Sequence, residues 1–335
     1  MKPVRFAAIG LDHFQIHAQI EMMLGQGAEF VAYCGAEEQF FKKSFAEHYP
    51  QARKVDDPRR ILEDDSIAVV LSAAVNSERA PLGIEVMRHG KDFMVDKPGI
   101  TSFDQLAEVR RVQAETGRIY SICYGHLLSP GTVKAGELLR QGAIGRLINM
   151  VSLGPHRLNR ARRPDWFFRR EKFGGVLTDI GSHACDQFLY FTGGIDAEIV
   201  SATVANRGNP DFPDFQDFGE ILLRTADVTG YVRVDWFTPD GLPTWGDGRT
   251  TLIGTEGYIE LRKNIDIAGR PGTNHLFLVD RAGVQHIDCS EVELPYARRF
   301  AADVQNRTET AMSQAHCFRA TELALTAQAM AERSR

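Results

Sequence analysis

Cysteine is scarce in this chain: five in 335 residues, at positions 34, 123, 185, 289 and 317, an odd number with no close pair. Such spacing supports neither a disulfide framework nor a zinc ribbon, and a reducing cytoplasm is the expected setting. No apolar run reaches the roughly 18 residues that a membrane span needs. The opening residues, Met1-Lys2-Pro3-Val4-Arg5-Phe6, lack a long apolar stretch followed by a small-residue cleavage site, so no secretory leader is expected. An excess of positive charge is missing as well. With 39 basic against 44 acidic residues the formal charge is -5, which gives no electrostatic footing for nucleic acid or an anionic membrane surface. Internal repeats and low-complexity tracts are absent. A small-molecule partner is the class that these absences leave.

What is present is ordinary for a folded chain, with 43% apolar and 25% charged residues spread along the whole length. A chain this long exceeds what one compact core usually supports, so two domains are expected. Short apolar runs at 4 to 10, 28 to 34, 67 to 73, 92 to 96 and 119 to 124 have strand length and turn or cap residues at their ends. Helical spacing fills the gaps at 13 to 26, 36 to 48, 78 to 89 and 103 to 116, with Gly90 and Gly117 placed to end the last two. Alternating helices and near-continuously apolar strands predict a doubly wound α/β domain with a parallel sheet.

Beyond about residue 126 the pattern changes. Helices are expected over 132 to 141 and 176 to 192, and strand-like runs over 197 to 205, 218 to 225, 228 to 238, 250 to 254, 257 to 262 and 275 to 280. Gly, Pro, Asn and Asp separate these runs, which predicts an open, mostly antiparallel sheet. A last helix is expected over 311 to 333.

Chemistry concentrates at the ends of these elements. The turn after the first strand, AAIGLDHFQIHAQ, keeps Gly10 but carries Asp12 and Gln15 where a G-x-G-x-x-G loop would hold its second and third glycines. Asp12 is instead a candidate N-cap for the helix. The second strand ends at Cys34-Gly35-Ala36-Glu37-Glu38. Gly35 stands where an acidic residue would bind the ribose of NAD, Glu37 or Glu38 could substitute, and Lys42 and Lys43 read as surface charge. The choice between NAD and NADP stays open. The fifth strand closes with Val95-Asp96-Lys97-Pro98, which puts Lys97 at the carboxyl edge of the sheet, beside an X-Pro peptide that could be cis.

The fullest constellation is GGVLTDIGSHACD, residues 174 to 186. On an α-helix Asp179, His183 and Asp186 share one face, beside an apolar stripe of Ile180, Ala184, Phe188 and Phe191. An imidazole beside a carboxylate suits proton transfer near neutral pH. An Asp/His pair on a solvated face is the plainer reading, and a metal site, helped by His126, is the third, although no Cys/His cluster completes a ligand set. Residues 156 to 172, HRLNRARRPDWFFRREK, concentrate arginine. Arg157, Arg160, Arg162, Arg163, Arg169 and Arg170 could clamp an anionic substrate group, with a subunit contact or a solvated loop as the equal alternative, and Trp166 could wall the pocket or simply pack.

Several motifs fall in an order and spacing that resemble the glucose-fructose oxidoreductase, inositol dehydrogenase and MocA family. They are Asn76 after the fourth strand, RHGKDFMVDKP, YGHLLSPGTVKAGELLRQGAIGRL and GGVLTDIGSHACDQFLYFTGG. The resemblance implies a Rossmann domain over 1 to 125 and an α/β domain over 126 to 335, with the last helix packing back on the first domain. It implies NAD or NADP held by Gly10, Leu11, Asp12, His13, Phe14, Gly35, Ala74, Asn76, Arg79, Asp96 and Lys97. The substrate it implies is polyol-like, near His126, Arg163, Trp166, Asp179 and His183. Lys97 and His183 would be the catalytic pair, with His183 removing a hydroxyl proton and Asp179 assisting, and dimers or tetramers would form through the open sheet. In this sequence Asp96 replaces the usual Glu, Arg79 stands where His is common, and His126 where Asn or Arg is frequent. A non-catalytic binding or regulatory protein and a metal-assisted lyase or hydrolase are the rival expectations.

Overall fold

The structure, a computed structural model, describes residues 3 to 36 and 44 to 334, apart from the side chains of residues 126 and 127. The chain divides into two compact units. One comprises Met1–Cys123, Glu171–Gly174 and Pro295–Phe318, and the other Tyr124–Arg170, Gly175–Leu294 and Arg319–Arg335.

The first unit holds β1 (Arg5–Ile9), β2 (Glu29–Cys34), β3 (Arg53–Lys54), β4 (Val69–Ser72), β5 (Asp92–Asp96) and β6 (Tyr120–Cys123). They form one six-stranded sheet in the order β3-β2-β1-β4-β5-β6, and every pair is parallel. This is the doubly wound order of a dinucleotide-binding sheet. Every residue of β4, β5 and β6 is buried, as expected where helices cover both faces. Between the strands run α1 (Gln15–Leu24), α2 (Phe45–His48), α3 (Arg59–Leu62), α4 (Arg79–Arg88) and α5 (Phe103–Thr116). Ser102 caps α5 by accepting from the Gln105 amide, and Gly117 closes it at φ +63°. Of the helix expected over 36 to 48, only Phe45–His48 lies among the described helical residues, capped by a reciprocal Ser44/Glu47 box.

The second unit carries β7 (Leu147–Pro155), β8 (Glu198–Ala205), β9 (Phe218–Arg224), β10 (Thr229–Asp235), β11 (Arg249–Gly254), β12 (Tyr258–Arg262), β13 (His275–Asp280) and β14 (Gly283–Ile287). Their eight-stranded sheet runs β14-β13-β12-β11-β7-β10-β9-β8, antiparallel except where β10 meets β7. Burial alternates along β9, β11 and β12, so one face of the sheet lies on the core. Helix Ser182–Thr192 packs on that face through small residues. A Cβ on Gly230 would meet the Phe188 ring at 2.9 Å, and in the turn just before the helix Leu177 lies 2.6 Å from where a Cβ on Gly219 would stand.

Candidate active site

In the first unit β1 ends in Gly10, whose φ of +78° suits glycine. Its amide donates to the Cys34 carbonyl at 3.0 Å and its own carbonyl accepts from the Ala73 amide at 3.0 Å. A Cβ here would stand 2.5 Å from that of Ala74, so glycine is what lets the loop pass between β2 and β4. Leu11 is wholly buried. Asp12 does not cap the helix, contrary to expectation: the N-cap position falls to Phe14, which makes no side-chain cap bond. Burial first, then Glu78, push the Asp12 carboxyl above the ordinary carboxylate range, against the pull of Arg79 and of the Asp12 and Val75 amides. The first turn of α1 is therefore left without a side-chain acceptor at the carboxyl end of β1. That is where a pyrophosphate binds in this architecture; here the Ile16 and His17 amides donate to the His13 and Phe14 carbonyls at 3.2 Å.

Arg79 organises the next stretch. Buried at 1% exposure, its guanidinium donates to the carbonyls of Ala74 (2.7 Å), Asp96 (3.1 Å), Lys97 (2.5 Å) and Pro98 (3.2 Å). A fifth contact reaches Asp96 Oδ2 at 3.4 Å. The fork geometry of arginine thus grips consecutive carbonyls across the Lys97-Pro98 peptide, which is cis. On its other side Asp96 lies 3.0 Å from His13 Nδ1, at ion-pair distance though not in hydrogen-bond geometry. Burial opposes ionisation of Asp96, but Arg79 and His13 outweigh it and hold the carboxyl below its usual range. Burial pushes the His13 imidazole down, against the pull of Asp96. Lys97 itself is half-buried. Arg79, expected as a cofactor contact, is therefore occupied with the backbone that presents Lys97.

Gly35 ends β2 at φ +146°, where a side chain would press on Leu11 at 3.2 Å. Neither Gly35 nor Ala36 supplies a carboxylate, and Glu37, Glu38, Lys42 and Lys43 lie outside the described residues. The Asn76 amide donates to the Phe173 carbonyl at 2.8 Å, in the short segment that this unit takes from residues 171 to 174.

In the second unit the expected helix over 176 to 192 begins differently. Leu177–Gly181 is wound as a π turn, and regular α-helix starts at Ser182. Wide turns of this kind recur at functional sites, and this one changes the relation between Asp179 and His183 from the simple i, i+4 stacking of an α-helix. Asp179 is 4% and Asp186 0% exposed, which overturns the solvated-face reading for both carboxylates. Ile180, Ala184, Phe188 and Phe191 are all buried, as their spacing predicts. The amides that open the turn are satisfied by two glutamines that sequence reading missed: Gln216 Oε1 accepts from Val176 at 3.2 Å, and Gln328 Oε1 from Leu177 at 3.0 Å. His183 is half-buried, and its Nδ1 accepts from the Gly125 amide at 2.9 Å. Lys263, also missed, reaches the same glycine: a Cβ there would be 3.5 Å from its Nζ. Nothing local flags these partners, which arrive from distant segments.

The arginine-rich loop is not a single clamp. Arg163 donates to the Leu158 carbonyl at 3.0 Å and lies over the Phe167 and Trp236 rings, 4.4 and 4.9 Å from their centroids. Its planar face packs on those two rings. Arg160 pairs with Asp211 at 2.7 Å and Arg170 with Glu332, while Trp166 is half-buried, edge-on to Phe167. The side chain of His126 lies outside the described ones. No group of three or more His, Cys, Asp or Glu among the described residues could hold a metal ion.

Residues 132–260 match the GFO/IDH/MocA C-terminal domain. A crystal structure from Erwinia carotovora atroseptica SCRI1043, described provisionally as an oxidoreductase, is 41% identical, covers 98% of each chain and superposes with a TM-score of 0.94. The chain belongs to the GFO/IDH/MocA family of oxidoreductases. Among GFO/IDH/MocA relatives, D-xylose dehydrogenase of Paenarthrobacter nicotinovorans is 25% identical over 206 residues, 59% of this chain and 51% of the relative. The scyllo-inositol 2-dehydrogenase (NAD(+)) of Bacillus subtilis (strain 168) is 26% identical over 209 residues, 61% and 58% respectively. The chain thus spans little more than half the length of these curated relatives.

Proposed function

We propose that this GFO/IDH/MocA chain is an NAD- or NADP-dependent dehydrogenase that moves a hydride between the nicotinamide and a secondary hydroxyl or keto group of a sugar, cyclitol or related polyol. The dehydrogenases among its relatives support the reaction class, and one of them carries NAD(+) in its name. The observation that carries the reading is the way Arg79 presents Lys97 at the carboxyl end of β5, where doubly wound sheets bind their ligands. The loop from Gly10 to Phe14 takes the pyrophosphate, and the backbone around Asn76 and Asp96 lies along the same edge. When bound, the nicotinamide supplies the hydride acceptor or donor. In the first unit Lys97 is the group that stabilises charge; in the second His183 is the proton-transfer group with Asp179 supporting the imidazole, and His126 and Trp166 serve the polyol. Leu222, Ile253 and Tyr258, exposed apolar residues on the outer face of the large sheet, support a dimer or tetramer built there.

The test is a titration of the purified chain with NADH and NADPH by fluorescence, followed by dehydrogenase assays on a panel of aldoses, cyclitols and anhydrosugars. Saturable binding of one dinucleotide, with turnover that Lys97→Met abolishes, is expected. Silence with both dinucleotides refutes the reading.

A further inference from the structure

We propose that the negative charge of Glu332, near the end of helix Gln314–Arg333, sets the winding of the π turn Leu177–Gly181 and so makes Glu332 a positioning residue for Asp179, which that turn carries. The catalytic meaning of this rests on the dehydrogenase reading above; the winding does not. Every side chain in the network belongs to the second unit.

A helix opens with amides that its own turns cannot satisfy. Here Val176 and Leu177 are fully buried, and their amides donate to Gln216 Oε1 and Gln328 Oε1. The approach is close: a Cβ on Gly175, whose φ is +90°, would stand 2.3 Å from the carboxamide carbon of Gln328. A backbone N–H only donates, so both glutamines must present their oxygens to the turn and direct their NH2 groups away from it. Gln216 and Gln328 are each 2% exposed, so those NH2 groups need protein acceptors. Gln328 Nε2 donates to Gln216 Oε1 and to Glu332 Oε1, each at 2.8 Å, and Gln216 Nε2 donates to Glu332 Oε1 at 2.9 Å.

Glu332 closes this relay because an ionised carboxylate accepts and never donates. Arg170 holds it through a fork, Nε on Oε1 and Nη2 on Oε2 at 3.1 Å. Burial alone would favour the protonated acid; Arg170 first, then Gln216 and Gln328, outweigh it and keep the carboxyl below its ordinary range. An uncharged amide at position 332 would bring hydrogens of its own against the arginine fork or the glutamine NH2 groups. One glutamine could then reverse, setting its NH2 against the amide of Val176 or Leu177 and leaving a buried donor unmet where the turn begins. The wide turn is the part of the helix that this relay holds, so its release lets Asp179 rotate about the helix axis.

The experiment is hydrogen–deuterium exchange by mass spectrometry on the full chain, read in overlapping peptides that cover the turn. It compares Glu332→Gln with Ala331→Gly, which loosens the same helix without touching the relay. A hydrogen bond to a charged group is worth about ten- to hundredfold in an equilibrium, so the opening of the turn should exchange at least about tenfold faster in Glu332→Gln and at the wild-type rate in Ala331→Gly. Wild-type exchange in Glu332→Gln, or equal loosening in both variants, overturns the proposal. Should Glu332→Gln fail to fold, Arg170→Met, which removes the fork on the carboxylate, must loosen the same turn, and wild-type exchange there overturns it as well. Turnover gives an independent arm: kcat falls about 10²-fold in Glu332→Gln, the effect of a displaced site group, with NADH affinity unchanged, while Ala331→Gly keeps the wild-type kcat. An unchanged kcat in Glu332→Gln removes the positioning role. If the wild-type chain turns over no polyol, the dehydrogenase reading fails while exchange still decides whether Glu332 sets the winding.

Discussion

Arg79→Met is the most demanding test of how the nucleotide-side edge is built. Methionine fills much of the same volume but serves none of the four carbonyls and the carboxylate that the guanidinium contacts. A buried acceptor left without its donor costs about 1–3 kcal/mol, and removing one partner of a buried pair costs about 3–5 kcal/mol. These losses overlap, because the contacts share one side chain and relax together, so we take about 4 kcal/mol for the whole. For a domain of this size each kcal/mol moves Tm by roughly 2–4 °C, which places the expected drop at roughly 8–16 °C in a circular dichroism melt of the full chain. Turnover should fall further than stability requires, since the Lys97 backbone loses its fixed position. Arg79→Lys should fall in between, because an ammonium has no fork with which to span successive carbonyls. A methionine variant melting within about 2 °C of the parent, at unchanged kcat, would refute the reasoning.

Three further outcomes follow from the same geometry. Because burial lowers the His13 imidazole below its ordinary 6.5, the unfolded chain takes up a proton that the folded chain refuses as pH drops below that value. Stability is therefore lost on acidification, by at most about 1.4 kcal/mol per pH unit for this group, and urea unfolding at stepped pH should show a shallower loss in His13→Asn; parallel curves would contradict it. Arg163→Ala should lower stability by about 1–2 kcal/mol, through its two aromatic neighbours, with KM for the polyol unchanged; a large rise in KM at normal stability would restore a substrate role. Gly10→Ala, which forces a side chain onto Ala74 at positive φ, should weaken NADH binding and lower Tm together, and wild-type affinity in a fluorescence titration would count against the close passage described for that loop.

How much of this was legible in the sequence depends on the range of the forces involved. The doubly wound half could be read because its strands are buried on both faces and so are apolar throughout. The two-domain expectation and the large second sheet followed from the change of pattern. Strand β7 was missed because its core-facing side is Met150, Ser152 and Gly154 while Val151 and Leu153 face outward, so its apolar residues do not mark the inner face. Strand β14 was missed because it is an exposed edge with no buried side. Helix Tyr296–Asn306 does carry a helical stripe, Tyr296, Phe300 and Val304, but Asp303 interrupts it; that carboxylate is buried to receive Thr308, Thr310 and Ala311. In the candidate site, residue types near strand and helix ends could be read. The partners that orient them could not, since Gln216, Gln328 and Gly125 act across long stretches of chain and have no local period, and nothing in the sequence around Arg79 marks it as the group that grips the 96 to 98 carbonyls.

The first unit borrows its finishing piece from far downstream. Edge strand β6 bonds through Tyr120 to Gln314, the Ser121 hydroxyl meets that of Tyr296 at 2.7 Å, and Asp92 is gripped by Arg307. On the ribosome, then, β6 emerges nearly two hundred residues ahead of Gln314. Until that segment is made, the nascent sheet has an open margin, exposed to chaperones or to pairing with another unfinished chain. A fragment cut at Cys123 inherits that defect permanently, whereas one in which residues 295 to 318 are spliced back through a short linker restores the missing border.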